Sequence, residues 1–560
     1  MYSNNSVWKR ILCLITMLAL VLAFGACVDR DSTKPTSSTT MPVVQQTTTA
    51  PTIPTTVPTR PTVPPKPMSY ELEFVLTQAD VDEFYQYLEE CEDLALSNAS
   101  ADDVQYAMEK TIVSLKYIYA QNSIAAVLHY SRTEDEALAQ QYLDVNKTAS
   151  DARDACVKMC RRLYQSEFAA KQAFFEDWTE TDITALLAYN EQVAALELRN
   201  NEILTEYHSV DDDERFIELY IEFVQNNNAI AGLYGYDNYY EYAYKMDYGR
   251  DYSASSVALL RRYATSYLGR ILSTAIDNYY DSIDNLNPWM LYRVDDLLME
   301  KYNTLDKDYV GAYIDAMPEN FATAMQTMLD RDSLFATAPD ATDGAFTIDL
   351  INRPYCYFGP DIATCNTILH EGGHYYAACY TPLDDIPLDL AELHSQGNEW
   401  LFTQFLKTQL SAAEYQAVVD YKLYEDIFMI FVCLAVDAFE EQVYTTDISN
   451  FTAKDFDAMM DNVLDLMNFT ADVDMHSYWR IVVMEQPVYY ISYAVSGIGA
   501  LSLFIEAQED WDGAVDIYRT LCEDYDEEAG FLGNLEAVGL ETPFDRTFYI
   551  SLKNLVESHP

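Results

Sequence analysis

The sequence predicts a mainly α-helical fold with one small β-sheet, and three observations support this prediction. Apolar residues make up 49% of the 560 residues, which is enough for a substantial core. From residue 70 onward they recur at spacings of three and four, the period of a buried helix face, as in Val104, Met108, Ile112, Leu115 and Tyr119. Residues 345–350 and 355–358 break this rhythm and predict two short strands around a turn.

The first 26 residues have the features of a secretion signal. A short positive region is formed by Lys9 and Arg10. It precedes an almost continuously apolar run, residues 11–26, which is shorter than a membrane-spanning helix normally requires. The run ends directly before Cys27. This junction resembles a bacterial lipoprotein signal, which implies that the Cys27 thiol is lipidated. The alternative is an ordinary cleaved signal that happens to precede a cysteine.

Residues 27–67 are rich in threonine and proline and predict an extended linker, whereas residues 68–560 predict the folded helical domain. Behind a lipid anchor, such a linker would hold the domain away from the membrane. We therefore expect the protein at the extracellular face of the bacterial cytoplasmic membrane, in contact with that membrane through the lipid only. A periplasmic location is the alternative.

The chain is strongly acidic. It contains 90 Asp and Glu against 34 Lys and Arg, which gives a formal net charge of −56. An electrostatic field of this sign repels phosphate backbones. The composition therefore argues against nucleic acid as a partner.

A His-Glu-x-x-His motif predicts a metal-binding helix. His370 and His374 lie four residues apart, so their imidazoles share one helix face and can bind one ion. Neutral imidazole is a good zinc ligand, and Glu371, beside the open coordination position, can take a proton from the attacking water. Gly372 and Gly373 are unfavourable inside a helix. They suggest that another backbone passes close to this face, such as a bound peptide or a substrate-aligning strand.

A second helical pattern begins eighteen residues after the motif and supplies further carboxylates. Catalytic zinc sites usually have three protein ligands and an open fourth position, and Glu392 is the predicted third ligand. Glu399 lies two turns further on the same face, where its carboxylate can accept a hydrogen bond from a ligand imidazole. The alternative for Glu399 is a solvated surface carboxylate. The expected cofactor is one Zn²⁺ per chain.

These two motifs together resemble those of the thimet oligopeptidase and oligoendopeptidase F family of zinc peptidases. The family combines His-Glu-x-Gly-His with a downstream Glu-x-x-Ser-x-x-x-Glu helix, which here correspond to residues 370–374 and 392–399. Residues 344–346 and 354–355 resemble its Gly-Ala-aromatic and Pro-aromatic strands, and residues 487–494 resemble its tyrosine-rich segment. The resemblance covers about 344–503, the predicted metal-binding core.

The resemblance implies a large two-lobed helical body around a deep channel, with the small sheet beside the zinc-binding helix. It also implies zinc-dependent cleavage of internal bonds in short peptides, because folded proteins cannot enter such a channel. We expect the chain to act as a monomer. The residues expected to contact substrate are Gly344, Ala345, Phe346 and Tyr489.

A tyrosine of the 487–494 segment is expected to stabilise the tetrahedral oxyanion. Tyr493 is the first candidate, Tyr490 the second and Tyr489 the third, since a phenol aimed at developing charge can contribute several kcal/mol. The alternative is that these tyrosines only pack in the core, a common use of tyrosine that a chain with 45 tyrosines makes plausible.

Two other functions remain compatible with the sequence. A carboxypeptidase of related helical architecture would need a cation for the substrate carboxylate, and Arg480 is the candidate. An oligopeptide-binding lipoprotein would keep the site without turnover. The presence of Glu371 argues against this second alternative, because binding alone needs no general base.

Overall fold

The computed structural model describes residues 72–558, with gaps at 176–177, 179, 208–209, 211, 291–307, 352, 361–364, 468–474, 476–478, 483 and 485. The predicted signal, Cys27 and the predicted linker lie outside the described residues, so their assignment stays a prediction.

Helices fill the chain before the sheet. Their bounds are α1 (Gln78–Leu96), α2 (Ala101–Tyr130), α3 (Glu136–Gln165), α4 (Lys171–Phe174), α5 (Glu180–Ala188), α6 (Glu191–Tyr207), α7 (Asp213–Leu233), α8 (Tyr239–Tyr242), α9 (Ala254–Tyr263), α10 (Gly269–Asp284), α11 (Asp308–Ala316) and α12 (Glu319–Asp330), with π-helical turns at Ala243–Asp247 and Ala264–Leu268. In α2, Ser100 caps the first turn and the predicted stripe from Val104 to Leu115 is buried.

The sheet has three strands, β1 (Ser333–Phe335), β2 (Ala345–Leu350) and β3 (Arg353–Phe358), in the order β1-β3-β2. Strands β2 and β3 form the predicted antiparallel pair, with Ala345 opposite Phe358. The parallel strand β1 was not predicted, because three residues are too few to show alternation. Strand β2 lies at the edge of the sheet, and both β2 and β3 contact the helix that carries the His-Glu-x-x-His motif.

Helices follow again after the sheet. Their bounds are α13 (Cys365–Ala378), α14 (Leu388–Phe405), α15 (Ala412–Thr445), α16 (Ala453–Leu466), α17 (Trp479–Val482), α18 (Ile491–Glu509), α19 (Trp511–Glu523), α20 (Gly530–Val538) and α21 (Arg546–Glu557), with short 3₁₀ turns at Leu383–Asp385, Leu406–Thr408 and Glu527–Ala529. The prediction of a mainly helical protein with a small sheet beside the motif helix is confirmed.

Helix α14 occupies the centre of this region. It packs against α13 and against α18, and α15 packs against α18. Nearly every residue of α14 is buried, including Asp389, Glu392, Asn398 and Glu399. A helix buried on all sides is normally apolar, so each of these polar side chains needs a partner.

One described helix, α18, is long and apolar enough to cross a membrane by length and composition. Within its most apolar window, 78% of the residues are buried inside the protein. This burial is typical of a core helix.

Candidate metal centre

The two histidines of the motif lie one turn apart on the same face of α13. Their ring centroids are 5.0 Å apart, and the ring planes make an angle of 78°. The side chain of His370 is 26% exposed and that of His374 is 12% exposed. Solvent therefore reaches this face mainly from the His370 side.

Glu392 approaches both imidazoles from α14. Its Oε2 lies 3.8 Å from His370 Nε2 and 3.9 Å from His374 Nε2. One ligand atom from each residue lies within 4.8 Å of the other two, so the three can contact a single ion. Glu392 Oε2 is buried and has no hydrogen-bond partner among the described residues. Such an oxygen is costly unless a cation satisfies it, and a His₂Glu donor set suits Zn²⁺, so these residues fit a zinc ion.

The two ligand-bearing helices touch at Gly373. A Cβ atom at this position would lie 2.7 Å from the Cα of Ser395 on α14, and closer still to the carbonyl oxygen of His394. The backbone that passes this face is therefore α14, not the bound peptide or strand that the sequence suggested. Gly372 faces Met325, a flexible side chain, and is less constrained.

The second oxygen of Glu392 is held by a tyrosine. Tyr489 is fully buried, and its hydroxyl donates a 2.7 Å hydrogen bond to Glu392 Oε1. Burial raises the pKa of Glu392, and the neighbouring His370 and the Tyr489 hydrogen bond oppose that rise. With Oε1 occupied, Oε2 is the oxygen that faces the two imidazoles.

Glu399 reaches the far side of His370. Its Oε1 lies 2.7 Å from His370 Nδ1, and its Oε2 accepts a 2.8 Å hydrogen bond from the Lys422 ammonium. Burial raises the pKa of Glu399, but the charge of Lys422 and the contact with His370 outweigh burial and lower it to about 2. An ionised Glu399 fixes the proton of His370 on Nδ1 and leaves Nε2 free to bind a metal.

Glu371 projects toward the sheet and is also buried. The Thr347 hydroxyl donates a 2.7 Å hydrogen bond to Glu371 Oε2. Burial raises the pKa of Glu371 to about 7, although His370 and the Thr347 hydrogen bond pull it down. A carboxyl group with a pKa near neutrality can both accept and return a proton at physiological pH.

The two histidines have opposite protonation tendencies in the metal-free site. Burial lowers the pKa of His370, but the hydrogen bond and charge of Glu399 raise it to about 9. Burial and the charge of His370 hold the pKa of His374 well below its usual value. Because a metal binds only neutral imidazole, an ion entering this site must displace the second proton of His370, on Nε2, while the Nδ1 proton stays with Glu399.

The three candidate tyrosines lie together at the start of α18. The Tyr493 ring centroid is 5.2 Å from that of Tyr489 and 6.0 Å from that of Tyr490. Tyr490 and Tyr493 are partly exposed, unlike Tyr489. Tyr493 therefore packs against the tyrosine that binds Glu392, whereas the buried Tyr489 hydroxyl is itself occupied by its hydrogen bond to Glu392 Oε1.

The residues predicted to contact substrate from the sheet lie at the start of β2. Gly344 accepts a backbone hydrogen bond from Gly359, and Ala345 begins β2. The ring of Phe346 stacks on Tyr357 at 4.9 Å and packs in the core, away from the metal centre. Phe346 is therefore buried, whereas Ala345 is partly exposed and lies on the opposite strand face, the one that carries Thr347. Contact of this strand with substrate stays a prediction.

Two residues of the site were missed from the sequence. Thr347 follows Phe346 on β2 and therefore lies on the opposite face, toward Glu371; strand alternation could have identified it. Lys422 lies on α15, 23 residues after Glu399. No spacing rule connects residues on helices that meet only in the folded chain, so Lys422 carried no sequence signal.

Comparisons with known proteins identify the fold. No family model matches the chain, and no curated protein matches it. Among solved structures, PZ peptidase A with a bound inhibitor matches at a TM-score of 0.67 and 16% identity, covering 87% of this chain and 98% of that one. A putative oligoendopeptidase F matches at 0.69 and 17%, covering 88% and 98%. Another, from Bacillus anthracis, matches at 0.62 and 15%, covering 87% and 97%. Over nearly their whole lengths, the chain therefore has the fold of these peptidase structures.

Proposed function

We propose that the protein is a zinc metalloendopeptidase that hydrolyses internal bonds of short peptides outside the bacterial cell. The observation that carries the proposal is the joint placement of three convergent ligand groups and Glu371. Glu392 Oε2 is buried beside the two imidazoles and has no hydrogen-bond partner among the described residues. Glu371, on the helix that carries the two imidazoles, has a pKa of about 7. The shared fold with oligoendopeptidase F and PZ peptidase A structures supports the same activity.

His370, His374 and Glu392 would hold the ion. When bound, zinc supplies a Lewis acid for the scissile carbonyl and lowers the pKa of water. Glu371 removes a proton from the attacking water and returns it to the leaving amine. Thr347 holds the Glu371 carboxylate through its hydroxyl. The phenol of Tyr493, or else of Tyr490, donates a hydrogen bond to the oxyanion that forms at the former carbonyl oxygen and keeps its own proton.

Zinc content and peptide turnover test this proposal together. We expect the purified protein to bind one zinc per chain and to cleave an internally quenched peptide at an internal bond, identified by mass spectrometry of the products. His370→Ala and Glu392→Ala should lose the metal, because each removes one of three ligands. Full zinc occupancy in Glu392→Ala would place the third ligand elsewhere. Binding of peptides without any cleavage would favour the oligopeptide-binding alternative.

The same products distinguish endopeptidase from carboxypeptidase action. Release of single C-terminal residues would favour the latter. That alternative is weakened by the position of Arg480, its candidate cation. The guanidinium bonds the Asp213 carboxylate at 2.9 Å and lies over the rings of Phe216 and Trp479.

The proposed extracellular location depends on a lipid at Cys27. We expect Cys27→Ser to release the protein into the medium or to leave its precursor unprocessed, because lipidation needs the thiol. Cell fractionation with an antibody against the folded domain measures this. Unchanged membrane association of the serine variant would contradict the anchor.

A further inference from the structure

The residue before Tyr489 has a strained backbone. Val488 has a φ of +63°, a conformation that β-branched residues rarely adopt. Strain of this kind costs about 1–3 kcal/mol and persists only where the surroundings enforce it. We call residues 487–489 the Val488 turn. It leads directly into α18 and carries Tyr489, the partner of Glu392.

Side chains from two distant parts of the chain bind the backbone of the Val488 turn. The Tyr248 hydroxyl donates to the carbonyl of Pro487 at 2.8 Å. Arg250 Nη2 donates to the carbonyl of Val488 at 2.8 Å and to that of Tyr489 at 3.4 Å. On α15, Glu440 Oε1 accepts the N–H of Val488 at 2.7 Å. These bonds satisfy the carbonyl groups of three successive residues and the backbone N–H of the strained Val488.

The side chain of Arg250 is itself buried and packs against two aromatic rings. Its side chain is only 1% exposed and its guanidinium lies over the rings of Tyr244 and Tyr248, at 4.5 and 4.3 Å. Nη2 also donates to Ser492 Oγ at 2.9 Å. Its Nε lies 3.9 Å from Oδ1 of Asp389, one helical turn before Glu392 on α14. Arg250 therefore connects the helix of the third metal ligand to the turn that carries the tyrosine bound to that ligand.

We propose that Arg250 and Glu440 are positioning residues for the metal ligand Glu392. They hold the Val488 turn in its strained form, so that the Tyr489 hydroxyl occupies Oε1 of Glu392 and Oε2 is directed at the imidazoles. This inference rests on the proposed zinc site. It assigns a function to two buried ionisable side chains that touch neither the imidazoles nor Glu371 in the described contacts.

The test is a set of zinc dissociation constants, measured by competition with a chromophoric chelator. Glu440→Met removes the acceptor at similar volume, and Arg250→Met removes the donor. We expect each to weaken zinc binding about 10–100-fold, the usual effect of losing an outer partner of a metal ligand. Glu440→Gln keeps an acceptor oxygen and should bind zinc nearly as the wild type does. If Arg250→Met does not fold, the two Glu440 variants decide the question.

A double-mutant cycle separates positioning from general destabilisation. In a Tyr489→Phe background, the path from Arg250 through the Val488 turn to Glu392 Oε1 is already cut, so an effect of Arg250→Met that acts through this turn should weaken zinc binding no further. The matched control is Arg261→Met. Arg261 is also largely buried and bonds Asp437 and Glu441 of α15, but it does not contact the Val488 turn. The control should lower the melting temperature and leave the zinc dissociation constant unchanged.

Three outcomes would overturn the proposal. Arg250→Met and Arg261→Met could weaken zinc binding equally, or the Arg250 effect could persist in full in the Tyr489→Phe background. Unchanged zinc binding in both Arg250→Met and Glu440→Met would overturn it as well, while leaving the proposed zinc site intact. A wild-type protein that binds no zinc would instead overturn the proposed function, and this inference with it.

Discussion

Glu371 on α13 and Glu399 on α14 are both buried carboxylates close to His370, but their surroundings give them opposite properties. The hydrogen-bond donor to the Glu371 carboxylate is the uncharged hydroxyl of Thr347, and burial raises the pKa of Glu371 to about 7. The Glu399 carboxylate contacts the Lys422 ammonium and His370 Nδ1. Burial also raises the pKa of Glu399, but these contacts outweigh it and bring the pKa to about 2.

The difference shows that burial alone does not decide what a carboxylate can do in this protein. Both groups lose most of their hydration, which favours the protonated form. A cation restores the charged form at Glu399 and makes it a permanent anion that orients an imidazole. Without a cation of its own, Glu371 remains able to exchange a proton near neutral pH.

The largest expected effect comes from replacing each carboxylate by its amide. Glu371→Gln removes the proposed proton acceptor but keeps the three proposed metal ligands, so turnover of a quenched peptide should fall at least ~10²-fold. Its zinc content should stay near that of the wild type. Glu399→Gln should do the reverse, weakening zinc binding about 10–100-fold and keeping most of the turnover at saturating zinc.

Zinc affinity and turnover must both be measured on both variants. If Glu371→Gln keeps wild-type turnover, another group is the base. If both variants lose turnover and zinc alike, the two carboxylates do not have separate functions and the contrast drawn between them is wrong.

A smaller effect is expected where the two helices meet, since Glu399 and Glu392 reach His370 across that contact. Gly373→Ala would push a methyl group into the backbone of α14, and we expect a loss of about 1–3 kcal/mol in the free energy of unfolding, with weaker zinc binding. Gly372→Ala is the matched control. Its methyl group meets the movable Met325 side chain, and the gain in helix propensity, about 0.8–1 kcal/mol, offsets the crowding.

Thermal and chaotrope unfolding of the two alanine variants measures this difference. Equal stability of Gly372→Ala and Gly373→Ala would mean that α13 and α14 can separate without cost.

The part of the site that could be predicted from sequence is the part encoded within single helices. His370, Glu371 and His374 follow from one helical turn, and Glu392 and Glu399 from two turns of the next helix. The pairing of β2 with β3 could also be predicted, because the two strands adjoin in the chain and are separated only by a turn. In each case the chemistry depends on residues at fixed local spacing.

The part of the site that could not be predicted depends on contacts between segments that are distant in the chain. Lys422 and Glu440 come from α15 and Arg250 from the segment before α9, and each reaches the site only after the helices have packed. The positive φ of Val488 could not be predicted from the sequence either, since valine rarely adopts the left-handed backbone conformation. Tyr489 was recognised within a tyrosine-rich segment, but its bond to Glu392 could not be distinguished from a contact with substrate.

The smallest expected effect is on the pH dependence of stability in the metal-free protein, where the two carboxylates should differ in sign. Glu371 binds its proton more tightly in the folded chain, with a pKa of about 7, than at its ordinary value of 4.5. The folded state therefore carries the extra proton between these values, and stability falls as pH rises through this window. Removing the carboxylate with Glu371→Gln should raise the melting temperature at pH 8 and have little effect below about pH 4.5.

Glu399 has the opposite shift, to about 2, so its contribution is complete above 4.5 and is lost as pH falls toward 2. Glu399→Gln should accordingly lower the melting temperature at pH 8, and the deficit should shrink in acid. Scanning calorimetry of chelator-treated wild type and both variants between pH 3 and 8, a range set by those two pKa values, measures this. Shifts of the same sign at pH 8 would show that Lys422 does not offset the burial of Glu399.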